Sequence, residues 1–246
     1  MKKLVKYSIA VVDWLGELGY THCFFVPGGN SMHLLDGART KMQCVPFVHE
    51  MSATIAAEYF NETTKGGRAW VLLTAGPGLT HSLSGIAGAF LEGRSLLVLG
   101  GQVKTSDLAT NGLRQRGIQE INGVAIATPI CKKAIRLEKP ISKPNFKSIV
   151  NLQFGGKPGP VFIELCLDVQ GALIQIDNLE SKDSSQKSDV ESKFDALGTA
   201  KKLISRALEN SNRPVFLIGG GVARGVSGLK DKLIEIGAPV DRKSVV

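Results

Sequence analysis

Residues 69–103, AWVLLTAGPGLTHSLSGIAGAFLEGRSLLVLGGQV, contain two continuous apolar runs separated by a longer segment of helical character. The runs AWVLL and SLLVLGG predict buried strands, and LTHSLSGIAGAFLEG predicts the helix between them. Continuous apolar strands that alternate with helices are typical of a parallel sheet covered on both faces. The stretch therefore predicts an α/β fold in which helices flank a parallel sheet.

The same alternation extends in both directions from this stretch. Before it, HCFFVPGG and CVPFVHE are short apolar runs that predict strands. After it, GIQEINGVAIATPICKKAIRL predicts a helix and a strand, and KPGPVFIELCLDVQ predicts another strand. An apolar repeat at helical spacing predicts an amphipathic first helix; its members are Leu4, Tyr7, Val11, Leu15 and Leu18.

The composition is that of an ordinary globular protein, because the 246 residues are 43% hydrophobic and 21% charged. The formal net charge is +8, but the basic residues are scattered and no aromatic residues alternate with them, so we expect no nucleic-acid binding. No apolar segment is long enough to cross a membrane. The four cysteines lie far apart without metal-ligand spacing, which is typical of a reducing compartment, so we expect a cytoplasmic protein.

A change in composition divides the chain. The segment IDNLESKDSSQKSDVES is polar and rich in serine, and such a segment cannot support a core. We therefore expect a first α/β domain at residues 1–172, a polar linker at 173–194, and the opening of a second α/β domain at 195–246. The second part is too short for a complete doubly wound domain, and its GxGxxxG spacing (Gly219, Gly221 and Gly225) is only a weak dinucleotide signal.

Glycine-bearing turns follow the predicted strands at 26–29, 75–78, 99–102 and 218–221. Glycine there lets the backbone approach a ligand, but it also serves tight turns that bind nothing. Glu50 lies between the apolar run that ends at Val48 and a predicted helix, where open α/β sheets bind ligands. An acid in the first turn of a helix can also simply complement the helix dipole. Both interpretations of Glu50 remain open on position alone.

Several ordered motifs together resemble one family. FVPGGNSMHLL, FVHEMSATIAAEYF, LLTAGPGLTHSLSGIAGAFLEGRSLLVLGGQV, IQEINGVAIATPICKKA and KPGPVFIELCLDVQ resemble the successive motifs of thiamine diphosphate enzymes of the acetolactate synthase type. The resemblance implies that residues 1–172 are the pyrimidine-binding domain and that RPVFLIGGGVARG opens the central domain. It also implies a 2-keto acid substrate and carboligase or decarboxylase chemistry, that of a transferase or lyase.

The resemblance assigns roles to individual residues. Glu50 would be the catalytic acid that hydrogen-bonds N1′ of the aminopyrimidine and promotes ylid formation at the thiazolium. The other implied cofactor-binding residues are Pro27, Gly28, Gly76, Pro77 and Gly78. Gln102 and Gln119 would line the substrate side, and His49, next to Glu50, is expected to pack or orient rather than to act directly. The chain departs from the family's usual pattern at His81, where asparagine is common, at EGRS, and at Ile118.

The family binds the cofactor's diphosphate through Mg²⁺ with a GDG and a later NN motif, and neither occurs here. We therefore expect no metal site in this chain, little activity from the chain alone, and Mg²⁺ only through a domain carrying those motifs. The resemblance further implies a homodimer or tetramer, with FAD possible in the central domain. We favour an N-terminal enzyme fragment; the alternatives are one subunit of a split enzyme and a non-catalytic module that pairs with a full-length relative.

Overall fold

The structure, a computed structural model, describes residues 4–175, 191–219, 221, 228–237 and 239–242. The chain divides into two compact units, Met1–Asp183 and Ser184–Val246. The predicted domain and linker boundaries at 172 and 194 stay predictions. Within the described residues, no helix has the length and apolar character needed to cross a membrane; the cytoplasmic location stays a prediction.

The first unit is built on a six-stranded sheet in which all paired strands run parallel. The strands, in their order across the sheet, are β3 (Gln43–Pro46), β2 (Tyr20–Phe25), β4 (Arg68–Leu73), β5 (Leu96–Gln102), β7 (Pro160–Cys166) and β6 (Lys133–Leu137). The parallel sheet predicted from residues 69–103 is confirmed, and β4 and β5 are neighbours in it.

Helices cover both faces of this sheet. One set comprises α1 (Tyr7–Glu17), α2 (Met32–Ala38), α6 (Lys143–Asn151) and α7 (Leu167–Gly171); the other comprises α3 (Glu50–Thr63), α4 (Pro77–Glu92) and α5 (Gly123–Ala127). Strand β4 serves both layers, because Trp70 and Leu72 pack into the core with α1 whereas Val71 and Leu73 pack into the core with α3 and α4. Burial on both faces explains why the strands are continuously apolar in sequence.

A two-stranded antiparallel pair joins the two ends of the first unit. Strand β1 (Leu4–Lys6) pairs with β8 (Leu173–Gln175). The first helix therefore begins at Tyr7, and Leu4 lies outside it, in a strand. Leu173–Gln175, the first three residues of the predicted linker, also form a strand, because they pair with Leu4–Lys6.

The second unit, within its described residues, contains α8 (Glu191–Glu209), β9 (Phe216–Ile218), α9 (Leu229–Ile236) and β10 (Val240–Arg242). Strands β9 and β10 pair in parallel, with Val240 opposite Phe216. This helix and strand succession agrees with the α/β character predicted for the segment. Of the GxGxxxG glycines, Gly225 lies outside the described residues.

Candidate cofactor site

The candidate site lies where the carboxyl ends of β2, β3 and β4 meet. Phe25, near the end of β2, stands in register with Pro46 of β3 and Leu72 of β4. The segments that leave these three strands therefore start side by side. Glu50, the first residue of α3, is buried at 9% exposure, so it occupies the strand-to-helix seam that the sequence predicts.

Thr74, directly after β4, is the point at which these segments meet. A Cβ atom added to Gly28 would lie 2.3 Å from Cβ of Thr74, and one added to Gly78 would lie 2.9 Å from its Cγ2. The backbone at both glycines therefore approaches Thr74 too closely for any side chain. The buried Oγ1 of Thr74 has no hydrogen-bond partner among the described residues. A buried hydroxyl without a partner is costly, and a polar ligand group would satisfy it.

Glycine at position 78 also leaves space beside Glu50. A Cβ at Gly78 would lie 3.6 Å from Oε1 of Glu50, so the missing side chain keeps that carboxylate oxygen uncovered on this side. Gly28, Thr74, Gly78 and Glu50 lie together in one cluster, which we call the Glu50 cluster. It combines one carboxyl group, one unpaired hydroxyl and two close backbone segments.

The turn at Gly76 brings a second loop to the cluster. Gly76 has φ of 64° and ψ of −115°, a conformation that favours glycine, and a Cβ there would lie 2.4 Å from the carbonyl oxygen of Gln119. Gln119 itself has a positive φ of 60°. Pro77 follows as the first residue of α4, where proline costs no hydrogen bond. The loop that carries Gln119 therefore rests directly on this turn.

One histidine lies beside the other oxygen of Glu50, and a second histidine stacks on the first. Oε2 of Glu50 lies 3.3 Å from Nδ1 of His81. The His81 ring stacks on the ring of His49 with centroids 5.1 Å apart and planes inclined by 23°. His49 precedes α3, and its Nδ1 accepts the backbone N–H of Met51 at 3.2 Å. The carboxyl group thus has one oxygen beside Gly78 and one beside His81.

The packing of α4 on α3 brings His81 to this position. A Cβ at Gly85 would lie 2.8 Å from Cβ of Thr54, so glycine allows the two helices to approach closely. Thr54 is one turn after Glu50 and donates its hydroxyl hydrogen to the Glu50 carbonyl at 2.6 Å. Gly85 is likewise one turn after His81. The contact between Thr54 and Gly85 therefore aligns the preceding turns and places His81 against Glu50.

A buried polar network holds the loop that carries Gln119. Nε2 of Gln102 donates to the carbonyl of Ile121 and to Oε1 of Glu164, both at 3.0 Å, and its Oε1 accepts the N–H of Val103 at 2.9 Å. Nε of Arg136 donates to Oε2 of Glu164 at 2.6 Å. Burial raises the pKa of Glu164, and Arg136 and Gln102 oppose that rise. The network ties the loop end to three strands of the sheet.

Glu120 closes the same loop upon itself. Its carboxylate accepts backbone N–H groups from Ala109 at 2.6 Å, Arg116 at 2.9 Å and Gly117 at 3.0 Å. Burial acts to raise the pKa of Glu120, but these three donors outweigh it and the pKa lies below its ordinary value. The shape of the loop therefore depends on an ionised carboxylate.

The structure brings some of the predicted site residues together and separates others. Gly28, Glu50 and Gly78 form one cluster, with Gly76 adjoining, whereas the side chains of Pro27 and Pro77 are exposed. Gln119 is exposed beside the turn, but Gln102 is fully buried with both amide atoms hydrogen-bonded inside the domain.

Sequence reasoning missed Thr74 altogether, although its place between a predicted strand and AGPG was a usable signal. It noted His81 only as a departure from the family pattern. No local signal shows that His81 contacts Glu50, because that contact depends on how two helices pack. Among the described residues, no group of three or more His, Cys, Asp or Glu side chains is placed to hold a metal ion.

Comparisons with known proteins identify the family of this segment. The family "Thiamine pyrophosphate enzyme, N-terminal TPP binding domain" matches residues 5–126. The "Probable acetolactate synthase large subunit" of Methanocaldococcus jannaschii is 30% identical over 244 residues, which cover 94% of this chain and 38% of that protein. The "Acetolactate synthase" of Arthrospira platensis is 31% identical, over 89% of this chain and 38% of that protein.

The "Acetolactate synthase isozyme 3 large subunit" of Escherichia coli is 30% identical, over 86% of this chain and 36% of that protein. The chain thus spans less than two fifths of the length of these relatives. The matched segment contains the strand ends, the Glu50 cluster and the turn at Gly76. The chain therefore carries an N-terminal domain of the thiamine pyrophosphate enzyme family, of the acetolactate synthase-like type.

Proposed function

We propose that the Glu50 cluster receives the aminopyrimidine ring of thiamine diphosphate in an acetolactate synthase-like enzyme that acts on 2-keto acids. The observation that carries this proposal is the meeting of the Glu50 carboxyl group with the unpaired hydroxyl of Thr74 between two glycine-lined backbone segments. An aminopyrimidine is flat and carries hydrogen-bonding atoms on its edge. It therefore matches a cluster that offers one acid and one hydroxyl beside two backbone positions, Gly28 and Gly78, that carry no side chain.

Glu50 would act at N1′ of the bound ring. A carboxyl group shares a proton with a ring nitrogen, and in doing so it favours the imino form of the neighbouring 4′-amino group. The bound cofactor supplies the thiazolium carbon that adds to the keto group. The chain's own part is to hold the ring with Gly28 and Gly78, to place Glu50 at its edge, and to keep the loop of Gln119 beside the turn.

The finer assignments are part of the same proposal and rest on the resemblance. We propose that Gln119 faces the substrate and that Pro27 and Pro77 flank the ring. Gln102, which the resemblance places on the substrate side, would act through the loop that it holds by its hydrogen bond to Ile121. Mg²⁺ and the diphosphate would be held by a domain of the GDG and NN type, with the pyrimidine domain of one subunit facing it across a dimer. The chain alone would then bind the cofactor weakly and show little carboligase or decarboxylase activity. FAD would belong to the central domain.

Backbone amide NMR of the full chain, titrated with millimolar thiamine diphosphate, tests this proposal. We expect the largest shifts at Gly28, Glu50, Gly76 and Gly78. Glu50→Ala should weaken binding by about tenfold or more, since a hydrogen bond to a charged group contributes about 1.5–3 kcal/mol.

The matched control is Glu62→Ala, because this carboxylate is on the same helix but lies near Arg94. It should leave the affinity unchanged. Shifts that are absent from the Glu50 cluster at saturating cofactor, or equal losses in both variants, would refute the proposal.

A further inference from the structure

The hydrogen bond between His81 and Glu50 assigns the ring hydrogen of His81. A carboxylate oxygen only accepts hydrogen bonds, and Oε2 of Glu50 lies 3.3 Å from Nδ1 of His81. When Glu50 is ionised, Nδ1 of His81 is the donor in this contact and carries the ring hydrogen. Its other nitrogen, Nε2, is then the one that can accept a proton from elsewhere.

The neighbouring ring has the opposite arrangement. Nδ1 of His49 accepts the backbone N–H of Met51, so the hydrogen of neutral His49 is on Nε2. A proton added at Nδ1 of His49 would break this bond at the start of α3. At His81 the corresponding change falls on Nε2, away from the contact of Nδ1 with Glu50, so the geometry favours His81 over His49 as the relay.

His81 also connects the buried carboxyl group with solvent. The side chain of His81 is 55% exposed, whereas that of Glu50 is 11% exposed. Within the described part of the chain, the titratable groups that contact His81 are Glu50 and His49, both from the start of α3. The geometry therefore leads from water through one imidazole ring to Glu50.

We propose that His81 is a positioning residue that relays protons between solvent and the Glu50 carboxyl group; this inference rests on the proposed function of Glu50. In the forward step, Nε2 of His81 takes a proton from a hydronium ion, which leaves as water, and Nδ1 gives its proton to Oε2 of Glu50. The ring ends neutral with its hydrogen on Nε2, and the carboxylate has become a carboxylic acid. The reverse step returns the proton to Nδ1 and releases the one on Nε2.

The tautomer of His81, measured by ¹⁵N NMR of the full chain with labelled histidine, is the first test. The chain has four histidines, so the rings can be assigned one by one. We expect neutral His81 to carry its hydrogen on Nδ1 and His49 to carry it on Nε2. Glu50→Ala should move the His81 hydrogen to Nε2, and the control Glu62→Ala should not. A wild-type His81 with its hydrogen on Nε2 overturns the relay.

The pH dependence of cofactor affinity is the second test, because a purely structural role of His81 would not change it. Histidine is the side chain that changes charge between pH 5 and 8. In the wild type, Oε2 of Glu50 and Nδ1 of His81 can share one proton across their contact. Between pH 5 and 6 the affinity for thiamine diphosphate should therefore depend on pH less steeply in the wild type than in a variant that lacks this ring.

In His81→Asn the proton must come from water. As pH rises from 5 to 6, the affinity of His81→Asn for thiamine diphosphate should fall more steeply than that of the wild type. The fall approaches about tenfold per pH unit when binding takes up one proton. The cofactor's own titration is common to both proteins. Equal slopes, with Glu50→Ala still weakening binding, would overturn the relay and leave the proposed function standing. If Glu50→Ala binds the cofactor as tightly as the wild type does, the relay and the proposed function are both refuted.

Discussion

The loop that carries Gln119 should open when the Glu120 carboxylate is replaced by an amide. Glu120 accepts three backbone N–H groups, one on Oε1 and two on Oε2. The amide in Glu120→Gln has a single oxygen, so at least one of the three bonds is lost and the others lose their charge. Hydrogen bonds to charged groups contribute about 1.5–3 kcal/mol each. Because Glu120 is partly exposed, we expect a total loss near the lower part of this range. The free energy needed to open the loop should fall by about 2 kcal/mol.

Trypsin measures this opening directly. Arg114 and Arg116 lie in the loop and are exposed, and the N–H of Arg116 is one of those that Glu120 holds. When opening is fast relative to cleavage, the rate follows the open population. A loss of about 2 kcal/mol then corresponds to roughly 30-fold faster cleavage after these arginines.

The matched control is Glu138→Gln, which removes the same charge from an exposed residue. It should leave the cleavage rate within about twofold of the wild type, in line with the small effects of surface substitutions. A Glu120→Gln rate equal to that of the control would refute the role of the carboxylate in the loop.

Three further predictions concern stability, each measured by urea unfolding. Gly76→Ala should lower the free energy of unfolding by about 2–4 kcal/mol, since it combines backbone strain with overpacking. The control Gly88→Ala, at a helix position with nothing within 4 Å, should raise it by about 0.5–1 kcal/mol. Equal effects of the two substitutions would contradict this. Phe146→Ala should cost about 3–5 kcal/mol, because the ring is fully buried against Trp14; a loss under about 1 kcal/mol would contradict this burial. Because burial raises the pKa of Glu164, the folded state binds its proton more tightly than the unfolded state does, so wild-type stability should fall relative to Glu164→Gln as pH rises from 4.5 through the raised pKa. A difference that is constant with pH would contradict it.

Much of the fold could be predicted because its signals are local. The apolar runs of β4 and β5 and the helical segment between them are contiguous in the chain. The seam before α3 follows from the same alternation, and Glu50 lies there. The pair of β1 and β8 could not be predicted, because Leu4–Lys6 and Leu173–Gln175 lie at opposite ends of the unit and neither segment alone is long or apolar enough to signal a strand.

The sequence by itself determined that the chain forms a parallel sheet, that glycine turns follow β2 and β4, and that an acid lies at the junction of β3 and α3; the glycines predicted as a turn at 99–102 lie inside β5 instead. The physical reason is that periodicity and turn chemistry depend on neighbouring residues. Only the tertiary structure decided what contacts that acid. The close approach of α3 and α4 at Thr54 and Gly85 places His81 beside Glu50, and this approach depends on side-chain volumes from distant segments, which no local pattern records.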